Sequence, residues 1–169
     1  MDMKKLLTLV MIFSFITSFL LANSLELGSP APQLDVLTDE GITLDLGKAL
    51  SEGTTLVFFY PKAMTPGCVK QACSLRDSWD EIQARDVKIF GVSSDTAKTQ
   101  AQFRDKYTLP FTLLADTDGK IADAFSKSRW SRQAYLFKDG ILVWRDLTAA
   151  TSKQATEVLA ALDELKSSS

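Results

Sequence analysis

The chain has 169 residues, 46% of them hydrophobic, with 19 basic and 21 acidic side chains and a formal net charge of −2. This length and charge balance fit one domain with a sizeable core, and they argue against a nucleic-acid partner or an anionic membrane surface. The sequence has no histidine, the commonest general base and metal ligand, and its two cysteines alone cannot build a structural zinc site. Catalysis must therefore rest on cysteine, carboxylates, lysine, arginine or hydroxyls, and no metal site is expected.

The first residues have the pattern of a secretory signal. Two lysines precede an apolar run over residues 6–22, and Ala22-Asn23-Ser24 supplies small residues at the positions that a signal peptidase reads. The alternative is an uncleaved membrane anchor, because the run approaches spanning length, and only then would the protein touch a membrane. We therefore expect a signal peptide over residues 1–24, a soluble periplasmic or secreted protein, and one folded domain over residues 25–169.

Hydrophobic periodicity predicts alternating strands and helices along that domain. The expected strands cover residues 34–37, 42–44, 54–60, 87–92, 111–114, 133–137 and 141–145. The expected helices cover residues 46–51, a stretch from Pro66 to Ile82, a segment that Ser94 or Asp95 caps and that ends near Tyr107, and residues 121–125 and 151–165. An unbroken apolar run at 56–59 indicates a strand buried on both faces, and hairpins at both ends favour a mixed sheet. The prediction is an α/β fold, a three-layer sandwich with a central mixed β-sheet.

Both cysteines lie where a buried strand runs through a loop into a helix. Thr65 is a good N-cap residue and Pro66 is favoured at the first helical position, so Cys68 falls in the first turn. The unpaired N–H groups and the positive end of the helix dipole favour a thiolate there, which is the nucleophilic form of cysteine. Gly67 leaves room for a small substrate to approach.

Cys73 follows five residues later, on the same apolar stripe as Val69 and Ala72, and is expected to be buried. Five residues correspond to about 140° beyond one helical revolution and a rise of roughly 7.5 Å, so the two cysteines point apart. A disulfide between them therefore needs local unwinding. A static disulfide is the structural alternative in an exported protein, although it would strain the helix. The Cys-x-x-Cys pattern of dithiol exchangers is absent.

The cysteine turn resembles a known family. Pro61-Lys62-Ala63-Met64-Thr65-Pro66-Gly67-Cys68 is similar to the Pro-x-x-x-Thr-x-x-Cys signature of peroxiredoxins. Continued through Gln71-Ala72-Cys73-Ser74-Leu75-Arg76-Asp77, it resembles the bacterioferritin-comigratory-protein, or PrxQ, branch. The resemblance extends to the order of elements over residues 25–165. It implies a thioredoxin-like fold and a peroxidase that needs no metal or organic cofactor, acting on hydrogen peroxide or small alkyl hydroperoxides.

The resemblance also implies roles for residues of this turn. Cys68 matches the peroxidatic cysteine, which a peroxide oxidises to a sulfenic acid. Cys73 matches the resolving cysteine, which condenses with that sulfenic acid after local unfolding. Pro61 matches the residue that shields the thiolate, and Thr65 matches the hydroxyl that hydrogen-bonds peroxide and thiolate.

One further role falls on a distant arginine. Arg132, just before the expected strand at 133–137, fits the family's active-site arginine, while Arg129 has an offset from the strand that does not fit. A permanent cation there stabilises the thiolate and the charge developing on the peroxide oxygens. The expected partners are a peroxide and a thioredoxin-like or other dithiol reductant, and a monomer is expected. The alternatives are a thiol–disulfide exchange protein and a non-catalytic extracytoplasmic binding module with a structural disulfide.

Overall fold

The computed structural model describes residues 25–128 and 130–167, in which strands and helices alternate. The strands are β1 (Asp35–Thr38), β2 (Thr43–Asp45), β3 (Thr54–Phe59), β4 (Val87–Ser93), β5 (Thr112–Ala115), β6 (Gln133–Lys138) and β7 (Ile141–Asp146). The helices are α1 (Leu46–Leu50), α2 (Pro66–Asp77), α3 (Trp79–Gln83), α4 (Ala97–Tyr107), α5 (Lys120–Ala124) and α6 (Gln154–Ser167). The expected signal segment and Arg129 lie outside the described residues. In the described part of the chain, every helix is too short or too polar to cross a bilayer.

These strands form one mixed sheet in the order β2-β1-β5-β4-β3-β6-β7. The pairs β3–β4 and β4–β5 are parallel, and the remaining pairs are antiparallel. Both expected hairpins, β1–β2 and β6–β7, are present at the two edges of the sheet. The predicted α/β sandwich with a mixed central sheet is therefore confirmed.

Strand β3 lies inside the sheet, between β4 and β6, and its last four side chains are apolar on both faces. Leu56 and Phe58 pack in a core with α2, α4 and α6, whereas Val57 and Phe59 pack on the opposite face with α1 and α5. These four side chains are at most 2% exposed. Burial contributes roughly 1.5–3 kcal/mol for each such side chain. The buried side chains therefore fix the position of the carboxyl end of β3, where the loop that leads into α2 begins.

That end of β3 determines which distant residue meets the cysteine turn. Phe59 is paired with Val92 of β4 on one side and with Gln133 of β6 on the other. Because β6 runs antiparallel to β3, the start of β6 lies beside the end of β3. Arg132, the residue before β6, is thereby brought next to the loop that leads into α2.

Several helix boundaries differ from the prediction by a few residues; the last helix, for example, begins at Gln154 and not at residue 151. The apolar stripe expected to run to Ile82 is divided at Ser78, whose φ of −102° and ψ of 16° end α2 and begin α3. The cap of α4 is Thr96, not Ser94 or Asp95, since its hydroxyl accepts a hydrogen bond from the Thr99 amide at 3.2 Å. Three consecutive polar residues could each cap a helix, and the sequence alone does not distinguish them.

Candidate active site

The loop between β3 and α2 sets the direction of the helix that carries Cys68. Thr65 is the N-cap residue with extended backbone, and Pro66 is the first helical residue, as expected. The Thr65 hydroxyl donates to the Lys62 carbonyl at 2.9 Å instead of capping the helix. Met64 has a φ of 63°, a left-handed conformation that costs a non-glycine residue about 1–3 kcal/mol. The first-turn N–H groups of α2 are thus left to interact with a thiolate or a substrate.

Arg132 contacts the first cysteine directly. Its Nη2 donates to the Cys68 Sγ at 3.4 Å, and its Nη1 donates to the Gln71 Oε1 at 2.8 Å. Cys68 is fully buried, so this cation acts on the sulfur with little screening by water. A helix N-terminus and a guanidinium together stabilise negative charge on the sulfur.

The close approach of the arginine depends on Gly67. A Cβ atom built on Gly67 would lie 2.8 Å from the Arg132 Nη2, closer than ordinary van der Waals contact. Gly67 therefore leaves room for the guanidinium as well as for a substrate. Pro61 and Thr65 are half-buried on the loop that precedes this turn.

Two buried glutamines extend the contacts of the arginine into the last helix. The Gln71 Nε2 donates to the Gln154 Oε1 at 2.9 Å and lies 3.4 Å from the Phe59 carbonyl oxygen. Gln71 and Gln154 are both fully buried, one in α2 and the other at the start of α6. Neither glutamine was predicted from the sequence to belong to the site. No signal in the sequence indicates a contact between residues 83 positions apart.

A second polar network holds the loop from the side of β4. The Asp95 Oδ2 accepts hydrogen bonds from the Ala63 amide and the Ser93 hydroxyl, each at 2.7 Å. Gln100 donates to the Ser93 hydroxyl at 2.9 Å and accepts from the Tyr60 hydroxyl. Burial raises the pKa of Tyr60 well above its ordinary value, so the phenol keeps its proton and donates it.

The role of Asp95 as an anchor of the loop was missed because the residue was interpreted as a helix cap. A signal was present, since polar residues that follow neighbouring parallel strands meet at one edge of the sheet. Asp95 follows β4, and the loop with Ala63 follows β3.

Cys73 is only half-buried, so the prediction that it is buried in the intact helix is wrong. It lies on the side of α2 where Arg76 and Asp77 are its charged neighbours. Burial raises the pKa of the Cys73 thiol, while the Arg76 guanidinium acts in the opposite direction. Both cysteines are free thiols on an intact helix, so a bond between them requires α2 to unwind. Within residues 25–128 and 130–167, no group of three His, Cys, Asp or Glu side chains could hold a metal ion.

Curated relatives share most of this chain. Peroxiredoxin Bcp from Escherichia coli K12 is 38% identical over 121 residues, which are 70% of this chain and 76% of the relative. Peroxiredoxin Bcp from Bacillus subtilis is 41% identical over 102 residues, which are 60% of this chain and 64% of the relative.

Solved structures of peroxiredoxins have the same fold. Peroxidoxin BcpB from Mycobacterium tuberculosis superimposes with a TM-score of 0.77 at 27% identity, covering 83% of this chain and 98% of that chain. The bacterioferritin comigratory protein from Xanthomonas campestris superimposes with a TM-score of 0.73 at 26% identity, covering 78% of this chain and 91% of that chain. The thioredoxin-like fold is thereby confirmed.

The relatives contradict the expected location. The Bcp proteins of E. coli, B. subtilis and Schizosaccharomyces pombe are typically cytoplasmic, so the prediction of a periplasmic or secreted protein is wrong. That prediction was drawn from the composition of residues 1–24 alone. An apolar run behind two lysines is a compositional pattern, and other kinds of segment share it.

A family profile also matches most of this chain. The profile of the AhpC/TSA family covers residues 27–145, which include β1 to β6, both cysteines and Arg132. Neither a thiol–disulfide exchange protein nor a non-catalytic binding module is favoured by these relatives. The chain therefore belongs to the AhpC/TSA family, in the Bcp/PrxQ branch of the peroxiredoxins, and is a thiol-dependent peroxidase.

Proposed function

We propose that Cys68 is the peroxidatic cysteine and that hydrogen peroxide and small organic hydroperoxides are its substrates. The Cys68 thiolate attacks the terminal oxygen of ROOH, and the O–O bond breaks. The sulfur is oxidised to a sulfenic acid, and the peroxide leaves as ROH after taking up a proton. One observation carries this proposal: the Arg132 Nη2 lies 3.4 Å from the Cys68 Sγ at a helix N-terminus. That arrangement stabilises both the thiolate and the charge developing on the peroxide oxygens.

Thr65 and Pro61 act on the same reaction from the preceding loop. The Thr65 hydroxyl, which donates to the Lys62 carbonyl in this structure, turns to hydrogen-bond the peroxide and the thiolate. Pro61 shields the thiolate from water, and its half-buried position beside this turn supports that role.

Cys73 resolves the sulfenic acid. Its thiol displaces water from the Cys68 sulfenic acid, forms an intramolecular disulfide, and is itself oxidised in that step. Burial raises the pKa of Cys73, so the thiol is protonated in the intact helix and becomes reactive only when α2 unwinds. A thioredoxin-like or other dithiol reductant then returns both cysteines to thiols and leaves as a disulfide. The cycle needs no metal or organic cofactor.

The proposed working unit is one folded domain over residues 25–169, acting as a monomer. Support comes from the single sheet that joins the described strands and from the helices that cover both of its faces. Light scattering of the reduced protein at micromolar concentration tests this, and a stable dimer would contradict it.

The cysteine roles are tested by comparing peroxide consumption in wild type, Cys68→Ser and Cys73→Ser with a dithiol reductant. We expect Cys68→Ser to abolish consumption, because the nucleophile is lost. Cys73→Ser should still form a sulfenic acid, which dimedone traps, but should lose turnover with the dithiol. If Cys68→Ser consumes peroxide as fast as wild type, the proposal fails.

A further inference from the structure

A line of hydrogen bonds joins the last helix to the proposed peroxidatic sulfur. It runs from the Gln154 Oε1 to the Gln71 Nε2 at 2.9 Å, from the Gln71 Oε1 to the Arg132 Nη1 at 2.8 Å, and from the Arg132 Nη2 to the Cys68 Sγ at 3.4 Å. Its members come from α6, α2 and the segment before β6. The line therefore assembles only when these three parts of the fold are packed together.

Gln154 decides which way the Gln71 amide faces. An amide side chain can present either its oxygen or its nitrogen to a neighbour, and only the oxygen can accept from a guanidinium. The Gln71 nitrogen is held by the Gln154 oxygen at 2.9 Å, whereas its distance to the Phe59 carbonyl is 3.4 Å, at the outer limit of a hydrogen bond. The stronger acceptor fixes the nitrogen toward α6, which leaves the Gln71 oxygen toward Arg132.

The burial of Gln154 also indicates a specific use. Its side chain is fully buried, and its Nε2 has no hydrogen-bond partner among the described residues. Burying an amide with an unused donor is unfavourable, and an apolar side chain of similar length would fill the same space without that cost. The contact that explains the presence of an amide at position 154 is therefore the hydrogen bond that the Gln154 oxygen accepts from Gln71.

We propose that Gln154 is a positioning residue for the peroxidase reaction, which sets the orientation of the Arg132 guanidinium on Cys68 through Gln71. The proposal rests on the proposed function of Cys68. Gln154 does not touch the sulfur or the substrate. It acts by keeping Gln71 in the one orientation that holds Arg132, so its loss lets the guanidinium turn away from the thiolate.

The test compares Gln154→Met, which keeps the length of the side chain without an acceptor, with Val158→Ala as a matched control. Val158 is fully buried in α6 one turn later, so its truncation loosens the same helix without touching the hydrogen bonds. Both changes are made with Cys73→Ser so that Cys68 is the only thiol. The readouts are the rate constant of Cys68 with hydrogen peroxide, its alkylation rate by iodoacetamide at neutral pH, and Tm.

We expect Gln154→Met to lower both rates by about tenfold, because a misplaced charged group loses much of its effect on a reacting atom. Val158→Ala should lower Tm and leave both rates unchanged. In a Gln71→Met background, Gln154→Met should have no further effect on either rate, since the two residues act in series. A Gln154→Met protein with a lowered Tm and wild-type rates would overturn the proposal, as would additive effects of the two changes.

Alkylation separates this proposal from the proposed function. If the parent Cys73→Ser protein does not react with peroxide, the proposed role of Cys68 as a peroxidatic cysteine has failed. The positioning role of Gln154 can still be tested in that case, because the rate of alkylation by iodoacetamide measures the reactivity of the Cys68 thiolate without any peroxide. Equal alkylation of the Gln154→Met and Val158→Ala proteins would then reject it.

Discussion

Because Gly67 has no side chain, the guanidinium of Arg132, the proposed active-site arginine, can reach the sulfur of Cys68. A Cβ on Gly67 would lie 2.8 Å from the Arg132 Nη2, and that atom is the end of a flexible side chain that can move away. The backbone of Gly67 is helical, so alanine fits it without strain. Space for the guanidinium, not backbone freedom, is thus the physical reason for glycine here.

The substitution Gly67→Ala should therefore lower the reactivity of Cys68 without lowering the stability of the protein. We expect the rate constant with hydrogen peroxide to fall about tenfold, because the displaced guanidinium stabilises the thiolate less well. Tm should stay the same or rise slightly, since alanine in place of glycine stabilises a helix by up to about 1 kcal/mol. Stopped-flow fluorescence and calorimetry measure the two quantities. Lys70→Ala, an exposed change on the same helix, is the control, and equal rates for the two variants would contradict this explanation.

Helix α2 is anchored at two points on either side of Cys73. On the N-terminal side, Gln71 is bonded to Gln154 and lies near the Phe59 carbonyl. On the C-terminal side, the Arg76 Nη1 donates to the Tyr107 carbonyl at 2.7 Å, at the end of α4. Unwinding that brings the two cysteines together must break the first anchor, whereas the second can persist.

Oxidation should thus melt only the first part of α2. We expect hydrogen–deuterium exchange to show loss of protection at residues 66–73 in the disulfide form, with protection kept at residues 76–83. A disulfide requires the two cysteines to approach and face each other, which an intact helix does not allow. Unwinding of the helix as far as Cys73 is enough to bring them together. Peroxide-treated Cys73→Ser, which cannot form the bond, should keep its protection. Equal protection of residues 66–73 before and after oxidation would argue against an unwinding mechanism.

The sequence predicted these elements unevenly, and the reasons are physical. The start of α2 was predictable because Thr65 and Pro66 have strong positional preferences. The break at Ser78 was not, because the apolar spacing continues through it. Motif resemblance pointed to Cys68 and Arg132, and the sheet register explains why they meet. Gln154 was not predictable, since its contact with Gln71 depends on how α6 packs on α2.

Across the whole molecule, the sheet separates the proposed site from a second half-buried cation. Lys127 lies over the ring of Phe59, 4.5 Å from its centroid, on the face opposite α2. Burial lowers the pKa of Lys127 from its ordinary value of 10.5 to about 8, while the Asp116 carboxylate acts in the opposite direction. The folded protein therefore binds this proton less tightly than the unfolded chain does.

Stability should for that reason contain a term that rises with pH between about 8 and 10.5. In this window the unfolded chain holds a proton on Lys127 that the folded state has released, which favours folding as pH increases. Lys127→Met removes the term and should stabilise the protein at neutral pH by roughly 1 kcal/mol, discounted because the side chain is only half-buried. Urea unfolding of both proteins across this range measures the difference. If the difference in free energy of unfolding between Lys127→Met and wild type does not become smaller as pH rises, the lowered pKa of Lys127 is not its cause.

The hydrogen-bonded line joins residues that are far apart in the sequence, which has a consequence for the chain during its synthesis. Cys68 and Arg132 are 64 positions apart, and Gln71 and Gln154 are 83 positions apart. While a chain is still being made on the ribosome, both cysteines have left the exit tunnel before the arginine and the last helix exist. The unfinished chain thus carries two ordinary thiols, whose reaction with peroxide is slow. On the proposed roles of Cys68 and Arg132, fast reaction with peroxide begins only when the fold is complete, so Cys68 is not oxidised before its reducing cycle can operate.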